Sequence, residues 1–357
     1  MKIAVLVSGG VDSSVVLARL HEQGHDVTAF YLKIWLEDEL AFLGDCPWEQ
    51  DLAYVRELCE QLKVPLQVIP LQQAYRDRIV QYTIDEVRAG RTPSPDILCN
   101  VRIKFGAFLE AIGDEFEKVA SGHYAQVVQR GDGLYELHKS PDKVKDQTYF
   151  LSHLNQQQLS RLLLPIGHMT KAEVRSEAQR YVVPSRDRKD SQGICFLGKI
   201  SFAQFIEHYL GRCPGEVIEE ETGDLLGHHN GFWFHTVGQR KGLRLSGGPW
   251  YVVRKNPALN QVFVSRRYHE DDKSRNFFIM RDIHWITEAP QGTSFTMKVR
   301  HGPEEVAAEV VALPDGRMAV TLAQRDQGLA PGQFAVLYRG DVCLGCGVIA
   351  DAALPVD

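Results

Sequence analysis

The chain has 357 residues, 44% of them hydrophobic and 24% charged, with a net charge of −6, which predicts a soluble globular protein of two or three domains and argues against a surface that binds nucleic acid everywhere. No run of about 18 apolar residues is present for a membrane span, and the apolar stretch at residues 1 to 7 is too short for a signal peptide. Seven unevenly spaced cysteines do not read as a secreted disulfide framework, so the expected compartment is the reducing cytoplasm, where cysteines do chemistry or pack.

The first elements alternate. Residues 2 to 7 form a continuous apolar run, as in a strand buried on both faces. A helix through Val15, Val16, Leu17 and Leu20 ends at Gly24. Residues 27 to 32 predict a second strand. A helix over about 49 to 62 stops before Pro65. Residues 66 to 69 predict a third strand, and a helix follows from about 72 to 87. The segment Arg91-Thr92-Pro93-Ser94-Pro95 breaks the pattern. A helix over about 99 to 112 and a short strand at 118 to 121 complete the series. This βαβ repetition predicts a doubly wound parallel sheet.

Capping boxes open helices at Thr170 with Glu173 and at Ser201 with Gln204. After about residue 212 short alternating runs dominate, at 251 to 253, 261 to 264, 295 to 299, 307 to 311 and 318 to 322. They predict small β domains. Boundaries near 200 and 275 divide the chain into an α/β domain at 1–200, a small central domain at 201–275 and a C-terminal β-barrel at 276–357.

The strongest motif is Ser8-Gly9-Gly10-Val11-Asp12-Ser13-Ser14, placed between a buried strand and a helix. Glycines let backbone N–H groups approach a phosphate, and the helix N-terminus adds partial positive charge. Ser8, Ser13 and Ser14 add hydroxyl donors. Asp12 would repel a phosphate, so its expected role is to hold Mg²⁺ against one. The loop lacks the Gly-Lys-Ser/Thr of a Walker A. It resembles the pyrophosphatase loop (PP-loop) of the N-type ATP pyrophosphatases. That resemblance implies cleavage of ATP between its α- and β-phosphates and adenylation of a carbonyl-type oxygen.

Two cysteines stand out. Cys99 lies in Asp96-Ile97-Leu98-Cys99-Asn100, at the start of a predicted helix whose dipole favours a thiolate, with Arg102 and Lys104 nearby. Cys195 lies in Asp190-Ser191-Gln192-Gly193-Ile194-Cys195, behind a charged loop. Singly, each also fits a small buried hydrophobe. Asp96 reads equally as a general acid or base and as an N-cap. Cys343-Leu344-Gly345-Cys346 has no second CxxC and reads as a hairpin around a glycine turn, not a zinc site.

Nearly the whole chain resembles the tRNA-specific 2-thiouridylases, the MnmA family. The resemblance is carried by SGGVDSSV at 8–15, TPSPDILCN at 92–100, IKF at 103–105, SGHY at 121–124, KDQTYFL at 145–151, DSQGICFLG at 190–198 and HTVGQRKGL at 235–243. It implies ATP-dependent 2-thiolation of the wobble uridine in the anticodon loop of tRNA. It implies ATP contacts at Leu6, Val7, Ser8, Gly9, Gly10, Val11, Asp12 and Ser13, with Leu32 and Gly122. Target-base contacts would come from Ser94, Pro95 and Asp96. Cys99 would be the attacking cysteine and Cys195 the persulfide carrier. RNA contacts would come from His123, Lys145, Asp146 and Gln147 in the first domain and Arg300, His301 and Gln333 in the C-terminal one, and the central domain would also contact tRNA. Two positions depart from the family pattern: His301 stands where Tyr is frequent, and Ser94 where Asn is common.

These residues suit one chemistry. AMP transferred to the uracil C2 oxygen makes it a leaving group, and a Cys195 persulfide supplies sulfur. Cys99 closes a disulfide with Cys195, and a thiol reductant resets it. A cysteine desulfurase or sulfur-relay protein is the expected donor. An iron–sulfur cluster on Asp96, Cys99 and Cys195 is the less favoured cofactor. The alternatives are another PP-loop enzyme, such as a tRNA 2-thiocytidine or 4-thiouridine synthase or a small-molecule amidating ligase, or a tRNA-binding or sulfur-relay protein without catalysis.

Residues 235 to 300 hold twelve Lys or Arg against five Asp or Glu, a local +7 that leaves −13 elsewhere. A basic segment in an acidic chain predicts a polyanion site. Replacing Arg240, Lys241 and Arg244 together with alanine is expected to weaken tRNA binding. Each lost phosphate contact should shallow the log–log salt dependence by roughly 0.7 to 0.9. Binding isotherms over a salt series measure it, and an unchanged slope would mean that these side chains face solvent.

Overall fold

The computed structural model describes residues 1–34, 48–189, 201–267, 275–326 and 328–351. The first sheet begins with β1 (Lys2–Leu6), whose apolar run is buried on both faces. Helix α1 (Val11–Glu22) follows, then β2 (Asp26–Lys33), α2 (Trp48–Leu62) and β3 (Leu66–Pro70). Gly24 has φ +76°, the left-handed turn a glycine supplies after a helix. Helix α3 runs without a break through Gln72–Tyr75, Arg76–Val80 and Gln81–Arg88, the middle stretch being π-wound. Helix α4 is likewise continuous through Pro95–Cys99, a π-wound Asn100–Ala107, and Phe108–Ile112. The short β4 (Lys118–Ala120) returns beside β1.

Two hairpin strands, β5 (Ala125–Gln129) and β6 (Tyr135–Lys139), leave the parallel sheet. Short helices α5 (Thr148–Leu151) and α6 (Gln156–Arg161), the two-residue β7 (Leu162–Leu163) and α7 (Lys171–Arg180) close this part. The parallel sheet has the order β3-β2-β1-β4-β7. The chain moves outward from β1 to β3 and then crosses to the other side of β1. The crevice between the ends of β1 and β4 is therefore the topological switch point, where open α/β sheets bind ligands.

Helix α8 (Phe202–Leu210) leads into a small sheet of β8 (Gly215–Glu219), β9 (Leu225–His229), β10 (Tyr251–Asn256) and β11 (Gln261–Ser265). Both capping boxes expected from sequence form, at Thr170 and Ser201. Strands β12 (Arg275–Trp285), β13 (Ser294–Lys298), β14 (Val306–Ala312), β15 (Met318–Asp326), β16 (Phe334–Arg339) and β17 (Val342–Asp351) pair in the order β12-β15-β14-β13-β16-β17. Strand β17 also pairs with β12 and closes a six-stranded barrel.

Two sequence expectations change. The helix carrying Cys99 begins at Pro95, so Cys99 is its fifth residue and lies beyond the first turn, where a helix dipole acts most. Proline at N1 explains the early start. The hairpin turn falls at Gly340 and Asp341, between β16 and β17, so the CxxC lies within a strand. Both thiols are buried, and burial pushes Cys346 up to about 12.

The barrel is not a separate appendage. Strand β6 continues its sheet by pairing with the start of β17, Val342 facing His138 and Cys343 facing Leu137. The apolar core crosses the same seam through Leu137, Tyr149, Leu151, Phe334, Val336 and Tyr338. At its centre Lys298 Nζ donates to Asp146 Oδ2 at 2.8 Å, with both side chains 2% exposed. Asp146 also accepts from the Thr148 hydroxyl, which meets the Tyr338 hydroxyl at 3.1 Å.

Removing one partner from such a pair leaves a buried charge. Lys298→Met is therefore expected to destabilise the protein by about 3 to 5 kcal/mol. Adding Asp146→Leu should restore part of that loss. Denaturant unfolding of the two variants measures both, and equal stability of Lys298→Met and wild type would show the seam to be held by packing alone.

Candidate active site

The loop after β1 and the turn after β4 meet at the switch point. Gly9 has φ +74°, and a Cβ there would lie 2.5 Å from the Asp51 carbonyl oxygen. Gly122 packs so closely that a Cβ would lie 2.9 Å from the Ser13 nitrogen. Both positions demand glycine. Gly10 is the N-cap of α1 and no side chain caps that helix, so its first N–H groups are available to an anion. Ser8 and Ser13 hydroxyls lie 3.4 Å apart in the loop. The Ser14 hydroxyl instead donates to the Gly10 carbonyl and meets Ser185, so it braces the loop from behind. Leu6 and Leu32 stand near the carboxyl ends of neighbouring strands, with Val7 and Val11 buried behind the loop.

Asp12 is engaged from two sides. Lys171 Nζ donates to its two carboxylate oxygens at 2.7 and 2.9 Å, and the Tyr124 hydroxyl donates at 2.8 Å. Arg188 donates to the Gly9 carbonyl at 3.1 Å and pairs with Asp51. Lys171 and Arg188 bring positive charge to a loop built for phosphate. Sequence reasoning missed them: Lys171 was hidden inside a capping box, and Arg188 in a charged loop.

The second half of the site lies along α4. Asp96 sits in the first turn of that helix, with Ser94 as N-cap and no side-chain cap bond. The N-cap reading of Asp96 is thus replaced. Burial raises the Asp96 pKa, and Lys104 opposes that rise. A carboxyl group favoured in its neutral form can donate a proton. Cys99 is buried one turn further on. Arg102 points away, donating to the Arg78 carbonyl at 3.1 Å. The proline loop before Asp96 is pinned. Arg91 makes a two-pronged contact with Glu86 at 2.6 and 2.7 Å, and the Thr92 N–H donates to the Pro331 carbonyl at 2.8 Å. Gln333 lies two residues beyond Pro331, so the barrel reaches the proline loop.

Gly122 and His123 join the two halves. Gly122 touches the phosphate loop, while the His123 ring lies 6.0 Å from Phe105 on α4. His123 is buried, its Nδ1 meets the Ser121 hydroxyl at 2.8 Å, and burial drives its pKa well below the ordinary value. It is a neutral wall of the site. Gln147 exchanges backbone and side-chain hydrogen bonds with Tyr124. Lys145 stands beside it. The Asp146 carboxylate belongs to Lys298, so the expectation of an RNA contact there gives way to a structural role. Arg300 pairs with Asp326. The His301 ring lies 4.5 Å from that of Phe150, whose carbonyl accepts from Asn100 next to Cys99. Cys195 lies outside the described residues, as does the whole of 190–198.

The basic segment is less uniform than its composition. Lys298 is buried, Arg254 pairs with Glu220, and Arg266 pairs with Glu219. Arg240, Lys241 and Arg244 are exposed between residues 234 and 251.

Comparisons with known proteins agree along the chain. Residues 1–199 match the tRNA methyl transferase HUP domain, 203–266 the tRNA methyl transferase PRC-barrel domain and 275–349 the aminomethyltransferase beta-barrel domain. The tRNA-specific 2-thiouridylase MnmA of Parabacteroides distasonis is 46% identical, over 98% of this chain and 99% of its own. The protein of that name from Porphyromonas gingivalis is 45% identical over the same shares. The chain belongs to the tRNA-specific 2-thiouridylase family. The family likeness spans all three sheets.

Asp12→Ala in this thiouridylase is expected to abolish pyrophosphate release while the far-ultraviolet spectrum and melting temperature hold. Lys171→Met should raise the KM for ATP by about tenfold or more, the scale of a lost charged hydrogen bond. Pyrophosphate assays over an ATP series test both, and normal turnover by a folded Asp12→Ala would remove the loop from the reaction.

Proposed function

We propose that the phosphate loop and the Cys99 helix form one reaction centre that thiolates C2 of the wobble uridine of tRNA. The observation that carries the reading is the contact of Ser121-Gly122-His123 with both halves. The chain is an ATP-dependent tRNA-uridine thiolase. The order of its steps, its residues' roles and its donor are our inference. ATP lies with its phosphates on the N-terminus of α1. Asp12 fits Mg²⁺, which binds through one or two carboxylates and substrate phosphates and would neutralise charge there. Lys171 then turns from Asp12 toward the phosphates.

The uridine leaves its stack, which costs least in a single-stranded loop. It enters against Ser94, Pro95 and Asp96. The C2 oxygen attacks the α-phosphorus and pyrophosphate leaves. The terminal sulfur of a Cys195 persulfide then attacks C2 and AMP leaves, giving a C2–S–S–Cys195 linkage. The Cys99 thiolate attacks the Cys195 sulfur, thiouridine departs, and a Cys99–Cys195 disulfide remains. A thiol reductant returns both cysteines to thiols. Asp96, with its raised pKa, handles the proton at the base. A cysteine desulfurase or sulfur-relay protein loads Cys195. A cluster on Asp96, Cys99 and Cys195 would replace the persulfide step, and anaerobic iron analysis separates the two.

Labelled sulfur tests the cysteine roles. Cys195→Ser should retain no label yet still adenylate the uridine. Cys99→Ser should hold label on the protein under non-reducing conditions and fail to release thiouridine. The reverse pattern would exchange the two roles, and normal thiolation by both variants would end the cysteine mechanism.

A further inference from the structure

A cavity of about 210 Å³ lies beside the target-base loop, between the α/β part and the small sheet. The α/β wall is Val87, Arg91, Thr92, Pro93 and Pro95. Phe202 of α8 closes one side, and Trp233, His235, Thr236 and Lys255 face them. The walls are in firm contact, since a Cβ at Gly90 would lie 2.4 Å from Pro257.

The polar groups of this cavity are incomplete. Among the described residues no carboxylate pairs with Lys255, although Arg254 next to it is paired with Glu220. Burial lowers the Lys255 pKa to about 8. His235 is more than nine-tenths buried, and its Nδ1 has no hydrogen-bond partner among the described residues. Arg91 is already committed to Glu86. A cation and an imidazole nitrogen without partners among the described residues, with two threonines under aromatic walls, are the complement of one phosphate with its sugar or base. The volume lies below the roughly 300 Å³ at which sites for drug-sized ligands begin. It suits one link of a polymer and not a second ATP.

Position adds the identity of that link. Pro95 lines the cavity and opens the helix that carries Asp96 and Cys99. On the other side, His235 and Thr236 run directly into exposed Arg240, Lys241 and Arg244. A strand lying on those cations and placing its uridine at Asp96 passes the mouth of the cavity.

We propose that the cavity seats the nucleotide adjoining the target uridine, with its phosphodiester on Lys255 and His235 and its ribose or base against Trp233 and Phe202. This rests on the tRNA-uridine thiolase reading. The cavity then acts as a second anchor that fixes which uridine of the loop enters the reaction centre.

The test uses the full-length protein and an anticodon stem-loop RNA, with binding followed over a salt series. Lys255→Met should weaken binding by about tenfold or more and lower the salt slope by roughly 0.7. Lys255→Arg should restore the slope. Neutral methylphosphonates placed one at a time around the target uridine need no variant. One position should reproduce the loss with wild type and add nothing with Lys255→Met. Equal effects at every position, fully additive losses, or an unchanged slope in Lys255→Met would overturn the proposal. If replacing Arg240, Lys241 and Arg244 weakens binding while Lys255→Met does not, the cavity assignment fails and the thiolase reading stands. If wild type does not bind the stem-loop, the assignment of RNA to this whole face fails with it.

Discussion

The Asp146–Lys298 ion pair is the constraint on which the arrangement of the molecule depends. It lies where the β5–β6 hairpin joins the barrel, and it is dry. An ion pair in such a place is a costly substitute for apolar packing. Here the geometry has consequences on both sides. Asp146 adjoins Gln147, which is tied to Tyr124, which is tied to Asp12. Lys298 is followed by Arg300 and His301. A short covalent and hydrogen-bonded path therefore relates the phosphate loop to the barrel surface proposed to meet RNA.

The second constraint is topological. Crossing from β3 to β4 over β1 opens one crevice in the sheet, and two loops distant in sequence are forced into it. Glycines at 9 and 122 are the steric condition for that meeting, because a side chain at either would strike backbone. Once they meet, His123 is buried beside α4. The phosphate loop and the helix that carries Cys99 both border the turn after β4.

Electrostatics divides the basic residues by their surroundings. Arg254 and Arg266 answer acids of their own small sheet, Lys298 answers Asp146, and Lys171 holds Asp12. The exposed Arg240, Lys241 and Arg244 retain the charge that a polyanion can use, while Lys255 keeps its charge at a desolvation cost. A net count over a segment cannot make this distinction, because the Coulomb energy is set by distance and burial.

The sequence by itself determined the parallel sheet, the phosphate loop, both capping boxes and the likeness to the thiouridylases. Each rests on neighbours in the chain: an apolar run, a glycine pair before a helix, a serine or threonine three residues before its acid or amide. Residues 99 and 343 to 346 show the limit of local reading. Cys99 was placed at a helix start because the proline at 95 looked like a break, whereas proline at N1 begins the helix. The CxxC looked like a turn, yet its strand crosses between β6, β16 and β12. Asp146 was read as RNA-facing, and Lys298, 152 positions away, was counted in the basic segment. Nothing local distinguishes a charge that meets a ligand from one that meets its partner across a fold. Only the tertiary structure decides that, because burial and pairing are properties of distance in space, and the hairpin that joins the barrel brings this pair together.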